Sequence, residues 1–511
     1  MSELELQRRR PLQTFAGWAA CALTCILVAF LFAYFAYQRR FVTGILAAGA
    51  MLAPAAIFLV FAHQKARLWW ARIMVALLPL GLFFRFGPDE FQITPALLLF
   101  LVNFFVIVVD KALGYEAHAR RATPLKKPLL VWLVTIVFST VVSRFALHGV
   151  LELIPLLLSA TVYAYIRMYV NDEREIQNLF KAFAVGACYS LGSGFVELFE
   201  GVNYTVDLSQ KTPAFFKMAG EVFRVDGSFH GPNAYVFFTG ACTLLFGCLF
   251  FYWRDWRWKL FSLVLAVSGA VLSIFTYSRG GVLGLAGGVL FLILALPPPE
   301  KRRKLYLVII PLALAVAVVF TLSVFGPGSP RGGGLIDPQH LKYVEMDTER
   351  SLEMMDLVSS LSRPIMWYRS LEFWLKSPLW GIGHSNFEGY FNPVMPYGFR
   401  LFGFYPRHPH NIFIYTLLST GLIGLGCLVV IFCKLALYLV KGIRRRGTFI
   451  GNLSIALSSI WILVFIHGLV DVIFVLPMTI PLAGMFFMFL SLSTIVMDRV
   501  KERREPPTPP A

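Results

Sequence analysis

The sequence predicts an all-α polytopic membrane protein with about 12–14 transmembrane helices and a helical insertion on the outer side. Three observations predict this fold class. The 511-residue chain is 57% hydrophobic and only 15% charged, whereas soluble globular domains carry about 25% charged residues. Long apolar runs recur along the chain, and short basic clusters separate them. The net charge of +17 is therefore attributed to loops beside membrane helices, and no nucleic acid is expected as a partner.

Fourteen segments are candidates for crossings, because about 20 apolar residues are needed to cross the hydrocarbon. They are 15–37, 42–62, 70–86, 95–110, 128–147, 151–170, 179–198, 233–253, 258–277, 281–296, 304–324, 411–440, 452–474 and 477–497. Three of them, 70–86, 95–110 and 281–296, are short. Twelve crossings is therefore the alternative.

The distribution of Lys and Arg predicts the orientation, since cytoplasmic loops are enriched in both. With the N-terminus inside, the cytoplasmic loops carry "HQKARLWWAR", "KALGYEAHARRATPLKK", "WRDWRWK", "PPPEKRRK" and "KGIRRRG". Arg39 and Arg40 fit this scheme less well. We expect an even number of spans with both termini in the cytoplasm. The first apolar run lacks a convincing cleavage site, so no cleavable signal peptide is expected.

The predicted division of the chain has four parts. Residues 1–324 form N-terminal membrane helices with an outer loop at 199–232, and 325–410 form the helical insertion. Residues 411–497 form the C-terminal membrane helices, and 498–511 a basic, proline-rich tail. The insertion contains "SRPIMWYRSLEFWLKSP", whose apolar residues follow helical spacing. All seven cysteines lie inside apolar runs, which indicates packing rather than a disulfide or metal site.

A first polar motif, "TYSRGGVLGLAGG", forms a turn between two predicted spans. Arg279 has no acidic residue within fifteen positions along the chain. An Arg at the membrane is expensive unless it faces a water-filled cavity or an anion. The glycines allow close approach, and the N–H groups that begin the next helix favour an anion. The alternative is an Arg that snorkels to the interface at a turn.

A second motif, "FRVDGSFHGPNAYVFF", leads into a predicted span. Arg224 precedes its Gly, Pro and Asn cluster. Interfacial snorkelling with loop punctuation is the structural alternative for this Arg. Asn233 is expected at the N-cap or in the first turn of the helix.

The third motif is "PRHPHN", residues 406–411, at the start of a long apolar run. Pro409 can begin a helix, which would place His410 and Asn411 in its first turn. A neutral imidazole accepts a proton at physiological pH, and a helix N-terminus disfavours the protonated form. The alternative is that these residues, His408 in particular, are interfacial caps.

Several chemistries are excluded by the absence of their motifs. The sequence has no Gly-Lys-Ser/Thr phosphate loop, no Gly-x-Ser-x-Gly elbow and no His-Glu-x-x-His. Carboxylates such as Glu197 and Asp226 occur on the predicted outer side, but no Asp-x-Asp pair suggests a divalent cation. The expected mechanism therefore uses no metal and no cofactor.

These stretches resemble the O-antigen ligase and polymerase superfamily of bacterial envelope enzymes. The resemblance rests on "GSFHGPNAYVFF" (227–238), "YSRGGVLGL" (277–285), "SRPIMWYRSLEFWLKSPLWGIGHSNF" (362–387) and "HPHNIFIYTLLSTGLIGL" (408–425). It covers the second half of the chain, and the first half only through its hydrophobic layout. The His-Asn pair before a glycine-rich helix is the most specific element. The family is usually drawn with twelve spans, two fewer than the candidates above.

The resemblance implies a GT-C-like, metal-independent glycosyltransferase of the bacterial inner membrane with its active site facing the periplasm. The donor would be O-antigen polysaccharide on undecaprenyl pyrophosphate, and the acceptor lipid A–core, with membrane lipids around both. Arg224 and Arg279 would bind the pyrophosphate and His410 would be the general base in an inverting displacement. Sugar or phosphate contacts would come from the remaining motif residues, Arg363, Arg407, His408, Asn411, Asn233 and Ser278.

Three other functions fit parts of the pattern. An O-antigen polymerase would use a second lipid-linked glycan as acceptor, and a protein O-glycosyltransferase would use a protein. A transporter or flippase of lipid-linked glycans belongs to a different class. Transporters often show internal repeats and broken helices near the membrane midplane. Here the polar motifs gather at one predicted face, which favours an enzyme.

Overall fold

The computed structural model describes the chain in ten stretches, which are 64–80, 95–112, 124–170, 172–201, 224–229, 231–296, 351–395, 406–445, 447–472 and 480–502. The predicted spans 15–37, 42–62 and 304–324 lie outside these residues. The choice between twelve and fourteen crossings therefore stays a prediction.

The described residues form thirteen α-helices and no β-strand. In chain order they are α1 (Gln64–Leu77), α2 (Pro95–Ala112), α3 (Lys126–Val141), α4 (Ala146–Tyr169), α5 (Glu173–Glu200), α6 (Pro232–Tyr252), α7 (Trp256–Phe275), α8 (Arg279–Ala295), α9 (Ser351–Trp374), α10 (Phe387–Phe391), α11 (Ile412–Ile443), α12 (Phe449–Gly468) and α13 (Ile480–Glu502). Short 3₁₀ turns follow α1 and α10, at Leu78–Leu80 and Asn392–Val394.

This architecture confirms the predicted all-α polytopic membrane fold. Seven helices, α4 to α7 and α11 to α13, are long and apolar enough to cross a membrane, and α8 is a shorter apolar helix. Each predicted span that falls on described residues overlaps a helix. Two boundaries are wrong. The predicted span 128–147 runs past the end of α3 at Val141 and into α4, and the predicted span 452–474 runs past the end of α12 at Gly468. The helical stretch predicted inside the insertion is confirmed as part of α9.

The centre of the bundle is α13. Its apolar stretch is wholly buried inside the protein, as expected of a helix surrounded by others. It packs on α4 and α11. A buried ion pair joins Arg167 of α4 to Asp498 of α13, with 2.5 Å between Nη2 and Oδ2.

The long helix α11 is broken at Gly421, which has φ 63° and ψ −163°. The backbone of the segment 378–383 enters this break. The N–H of Ile382 donates to the carbonyl of Leu418 at 2.8 Å, and the N–H of Leu422 donates to the carbonyl of Pro378 at 2.9 Å. The segments 378–383 and 418–423 therefore interlock, and these bonds join the segment after α9 to α11.

The two ends of the bundle differ in chemistry. One end gathers the N-termini of α6, α8 and α11 with the C-termini of α7 and α12, and all three polar motifs lie there. At the other end Arg445 donates to the carbonyls of Arg499 and Val500, each at 2.9 Å. The prediction that the three motifs share one face is consistent with this arrangement.

Candidate active site

The histidine loop, residues 406–411, leads into α11. The side chain of Asn411 caps the helix, since its Oδ1 accepts from the N–H groups of Phe413 and Ile414 at 2.9 and 3.0 Å. The helix begins at Ile412, so the prediction that Pro409 begins it and that His410 lies in its first turn is wrong. His410 instead has a φ of 49°, a left-handed conformation that is uncommon for a residue with a side chain.

This conformation directs His410 toward a carboxylate. Its Nδ1 lies 3.0 Å from Oδ1 of Asp471, just beyond the end of α12. The Asn411 amide donates to the carbonyl of Leu469 at 2.8 Å and so ties the start of α11 to this turn. The Asp471 side chain is 6% exposed and that of His410 is 22% exposed, which leaves the imidazole accessible from one side.

Sequence reasoning missed Asp471, which was counted inside a uniform apolar span. A signal was present in "HGLVDV", where His467 and Asp471 stand four residues apart at the end of an apolar run. Ionisable groups in such a run are functional candidates by the same argument that singled out Arg279.

The electrostatics of the loop favour an ionised Asp471. Burial raises the pKa of this carboxyl, but attraction to His410, the hydrogen bond from His410 and the nearby His408 and His467 outweigh burial, so the pKa lies well below its usual range. For His408, burial and then repulsion from His410 lower the pKa to about 3. His408 is therefore neutral at physiological pH, and its Nδ1 accepts from the backbone N–H of His410 at 3.3 Å.

Arg279 is the first residue of α8, as the motif predicted. Ser278 is the N-cap residue, but its side chain makes no capping hydrogen bond. The next two positions require glycine because the neighbouring helices approach closely. A Cβ at Gly280 would lie 2.1 Å from Val470, and one at Gly281 would lie 2.1 Å from Val236. The start of α8 is therefore pressed between α6 and the turn that carries Asp471.

Arg224 reaches the same region from the second motif. Its Nε donates to the carbonyl of Thr276 at 2.7 Å, and its Nη2 lies 3.4 Å from Oδ1 of Asn233. Asn233 is in the first turn of α6, one of the two predicted positions, while Gly231 is the N-cap. The amide of Asn233 thus helps to place the guanidinium.

These contacts bring the three motifs together. Arg224 touches the turn before Arg279, the glycine after Arg279 packs on Val470, and the next residue, Asp471, contacts His410. Two cationic side chains and an imidazole–carboxylate pair therefore lie at one end of the bundle, beside the N-termini of α6, α8 and α11. Helix N-termini favour anions, so this region is suited to a negatively charged ligand.

The predicted residues Arg363 and Arg407 lie at the border of this cluster. The indole N–H of Trp367 in α9 donates to the carbonyl of Pro409 at 2.7 Å, and this bond places α9 against the histidine loop. Arg363, one turn earlier in α9, and Arg407 both act electrostatically on His408. Arg407 is exposed and Arg363 is half-buried.

A second group of buried polar residues lies next to the start of α11, and it was not predicted as part of the site. His384 is fully buried, and its Nδ1 lies 3.0 Å from the Tyr415 hydroxyl in α11. Burial lowers the pKa of His384 to about 3, so its ring is neutral. Asn386 donates to the Ser143 hydroxyl at 2.7 Å. The His384 contact thus attaches residues 384–386 to α11, and the Asn386 bond attaches them to the α3–α4 turn.

The donor atoms of His408, His410 and Asp471 all lie within 4.8 Å of one another. Two imidazoles and a carboxylate are a ligand set that transition metals use. One nitrogen and one oxygen of this cluster accept backbone hydrogen bonds. Oδ1 of Asp471 accepts from the Val472 N–H at 2.7 Å, and Nδ1 of His408 accepts from the His410 N–H. The described geometry is therefore that of a hydrogen-bonded loop.

Comparison with known families supports the resemblance seen in the motifs. Residues 264–429 match the family model described as O-antigen ligase, and this match supports assignment to that family. The matched segment contains Arg279, Arg363 and His410, whereas Arg224 and Asp471 lie outside it. No curated protein matches the chain. Members of the family are glycosyltransferase-like ligases and polymerases, which supports an enzyme with polysaccharide or lipid-linked substrates.

Proposed function

We propose that this chain is an O-antigen ligase, which transfers O-antigen polysaccharide from undecaprenyl pyrophosphate to a sugar of lipid A–core. The observation that carries the proposal is the contact of His410 with Asp471, at the end of the bundle that also holds Arg224 and Arg279. A base beside two phosphate-binding cations suits transfer from a pyrophosphate to a hydroxyl group.

His410 would act as the general base. A hydrogen bond from Nδ1–H to Asp471 leaves Nε2 as the proton acceptor and stabilises the imidazolium that forms. The acceptor hydroxyl would lose its proton to Nε2 while its oxygen attacks the anomeric carbon. The bond from that carbon to the pyrophosphate oxygen breaks, and the configuration inverts. General-base catalysis of this kind contributes about 10²–10⁴-fold to the rate.

Arg224 and Arg279 would stabilise the leaving group. Guanidinium groups bind phosphate oxygens through paired hydrogen bonds, and the N–H groups that begin α8 add a favourable field. Arg363 and Arg407 would contact sugar or phosphate at the border of the site. His408, Asn411, Asn233 and Ser278 were predicted to bind substrate. The contacts of Asn411 and Asn233 support a role in holding His410 and Arg224.

We also propose that the reaction is metal-independent. The two arginines supply positive charge where many transferases use a cation, and Nδ1 of His408 and Oδ1 of Asp471 accept backbone hydrogen bonds. Transfer by the purified enzyme should persist in EDTA. Loss of transfer in EDTA, with recovery on addition of a divalent cation, would contradict metal independence and make the His408, His410 and Asp471 cluster a candidate cation site.

The membrane placement is part of the proposal. The site would face the periplasm of the inner membrane, with the basic loops and both termini in the cytoplasm. The basic character of the opposite end, with Arg445 between Arg499 and Val500, supports this orientation through the enrichment of cytoplasmic loops in Lys and Arg.

The lipopolysaccharide gel pattern of a deletion strain tests the function. A ligase deletion should leave bare core and accumulate lipid-linked O-antigen, and wild-type protein should restore the ladder. Asp471→Asn and His410→Gln should fail to restore it at equal expression. Core capped with a single repeat unit would instead identify a polymerase. An unchanged ladder with loss of a protein glycan would identify a protein O-glycosyltransferase.

A further inference from the structure

Glu197 lies in the last turn of α5 and is 1% exposed. A buried carboxyl group within a membrane helix is expensive and is retained where it has a specific partner. The proposed transfer does not use this side chain, which lies behind the segment that carries Arg224. Its contacts indicate why it is there.

One oxygen of Glu197 holds two consecutive backbone N–H groups. Oε2 accepts from the N–H of Asp226 at 3.1 Å and from that of Gly227 at 2.7 Å. Gly227 has a φ of 53°, and a Cβ there would lie 2.3 Å from the Tyr235 ring. The backbone therefore turns sharply at this point, and buried N–H groups at such a turn need an acceptor.

The segment is fixed on its other side by α7. The Val225 N–H donates to the carbonyl of Phe275 at 3.1 Å, and the Arg224 side chain bonds the carbonyl of Thr276. Residues 224–227 thus run between α5 and the end of α7. Glu197 of α5 supports the segment at Asp226 and Gly227, and the end of α7 supports it at Arg224 and Val225.

We infer that Glu197 is a positioning residue, which fixes the backbone of residues 224–227 and so directs Arg224 at the donor pyrophosphate. The inference rests on the proposed function. The role requires an oxygen acceptor at the place of Oε2. It does not require a negative charge, because an amide oxygen accepts the same two hydrogen bonds.

The experiment compares three substitutions at this position in purified enzyme, with a synthetic undecaprenyl-pyrophosphate-linked oligosaccharide as donor. Glu197→Gln keeps the acceptor oxygen, so donor KM should stay within about twofold of wild type. Glu197→Ala removes it, and donor KM should rise about tenfold or more, the order expected when hydrogen bonds that orient a charged group are lost. Acceptor KM should change little in either variant.

Glu197→Asp keeps the negative charge but changes the position of the acceptor oxygen. It therefore tests the inference even if the Ala variant does not fold. Its carboxylate is one methylene shorter and cannot reach the same position without movement of the backbone. The inference expects Gln to be closer to wild type than Asp in donor KM. The reverse order would show that the negative charge matters, and it would overturn the inference.

A double substitution tests the link to Arg224. In an Arg224→Ala background, Glu197→Ala should add little to the donor KM, because the side chain that Glu197 positions is gone. If Glu197→Ala raises donor KM as much in this background as in the wild type, Glu197 acts on the fold in general, and the inference fails. Tyr235→Phe is the matched control. It removes the hydroxyl bond to the Ser190 carbonyl (2.8 Å) in the same α5–α6 contact and should leave donor KM unchanged.

The same donor KM values distinguish a failure of the proposed role of Arg224 from a failure of the proposed role of Glu197. If Arg224→Ala itself leaves donor KM unchanged, the assignment of Arg224 to the pyrophosphate fails. If Arg224→Ala raises donor KM but Glu197→Ala does not, only the positioning role of Glu197 fails.

Discussion

At the scale of single residues, His410 and Arg279 should fail in different ways when they are substituted. In the proposed reaction, Arg279→Ala removes a charge that would hold pyrophosphate before and during transfer, and such a contact contributes about 1.5–3 kcal/mol. Donor binding and turnover should fall together, and Arg279→Lys should rescue poorly because a point charge lacks the paired geometry. His410→Ala should keep donor binding while transfer drops by about 10²–10⁴-fold.

The measurement is donor binding and transfer for each folded, purified variant. His410→Gln retains hydrogen bonding without basicity, so it should be almost as inactive as His410→Ala. Near-normal transfer by the Gln variant would show that His410 orients the substrate and does not take its proton.

The low pKa of His408 predicts an acid-sensitive fold. In the unfolded chain a histidine has a pKa of about 6.5, whereas in the fold the pKa of His408 is about 3, beside His410, Asp471, Arg363 and Arg407. Between these values the unfolded state binds more protons, so stability falls as the pH falls from about 6.5 toward 3. The lowered pKa of Asp471 removes stability only below its unfolded value of 3.8.

The check is the melting temperature in detergent at about pH 7 and about pH 4.5. His408→Gln cannot titrate, so the difference between the two temperatures should be smaller than in the wild type. His384, whose pKa is also lowered to about 3, should account for part of the remaining difference. A difference as large in His408→Gln as in the wild type would exclude this role of His408.

Candidate site residues were predictable where a polar side chain stands among apolar residues in the sequence. Arg279 and His410 stand out in this way, and the structure places both at the same end of the bundle. Asp471 has the same property, but the apolar residues on both sides of it extended the predicted span over it. The left-handed φ of His410 accompanies contacts of residues 410 and 411 with the turn after α12, and a local pattern of residue types does not contain that information.

At the scale of secondary-structure elements, the break in α11 gives the clearest prediction. A Cβ at Gly421 would lie 2.2 Å from the carbonyl of Leu379, and its φ of 63° disfavours any side chain. Gly421→Ala should therefore separate the interlocked segments or strain the backbone by at least about 1–3 kcal/mol. The melting temperature should drop markedly, and transfer should drop with it.

Gly426→Ala is the matched control in the same helix. Nothing lies within 4 Å of a Cβ at that position, and Ala is a better helix former than Gly by about 1 kcal/mol. Its melting temperature should be unchanged or higher. An equal drop in melting temperature in both variants would mean that α11 tolerates no added methyl group. The effect of Gly421→Ala would then not be specific to the break.

The helices themselves were predictable because an apolar run long enough to cross the membrane indicates a membrane-spanning helix. The break at Gly421 was not, because its cause lies about forty residues earlier in the chain, where the segment 378–383 supplies the partners that the interrupted helix lacks. The end of α12 at Gly468 has a similar origin, since the following turn bonds to Asn411.

At the scale of the whole molecule, the proposed orientation predicts which positions a membrane-impermeant thiol reagent reaches. In a background without the native cysteines, Arg407→Cys should react from the periplasm, since this side chain is exposed at the site end. Arg444→Cys, exposed at the opposite end, should react only after the membrane is opened. The reverse pattern would place the site in the cytoplasm and would contradict the proposed donor.

The gathering of the three motifs is also a property of the whole molecule. Composition predicts which side of the membrane each loop faces, but not which loops touch. Those contacts depend on close helix packing, such as the fit of Gly280 on Val470 and of Gly281 on Val236. Small residues along α8 made such packing plausible without identifying its partner.

The contact of His410 with Asp471 has a consequence for engineering. The segment 264–429 that matches a known family contains His410 but not Asp471, and it contains Arg279 but not Arg224. A chimaera that exchanges this segment alone would therefore combine His410 and Arg279 from one parent with Asp471 and Arg224 from the other. A chimaera that keeps these contacts intact should take α5 to α8 and residues 406–472 from one parent.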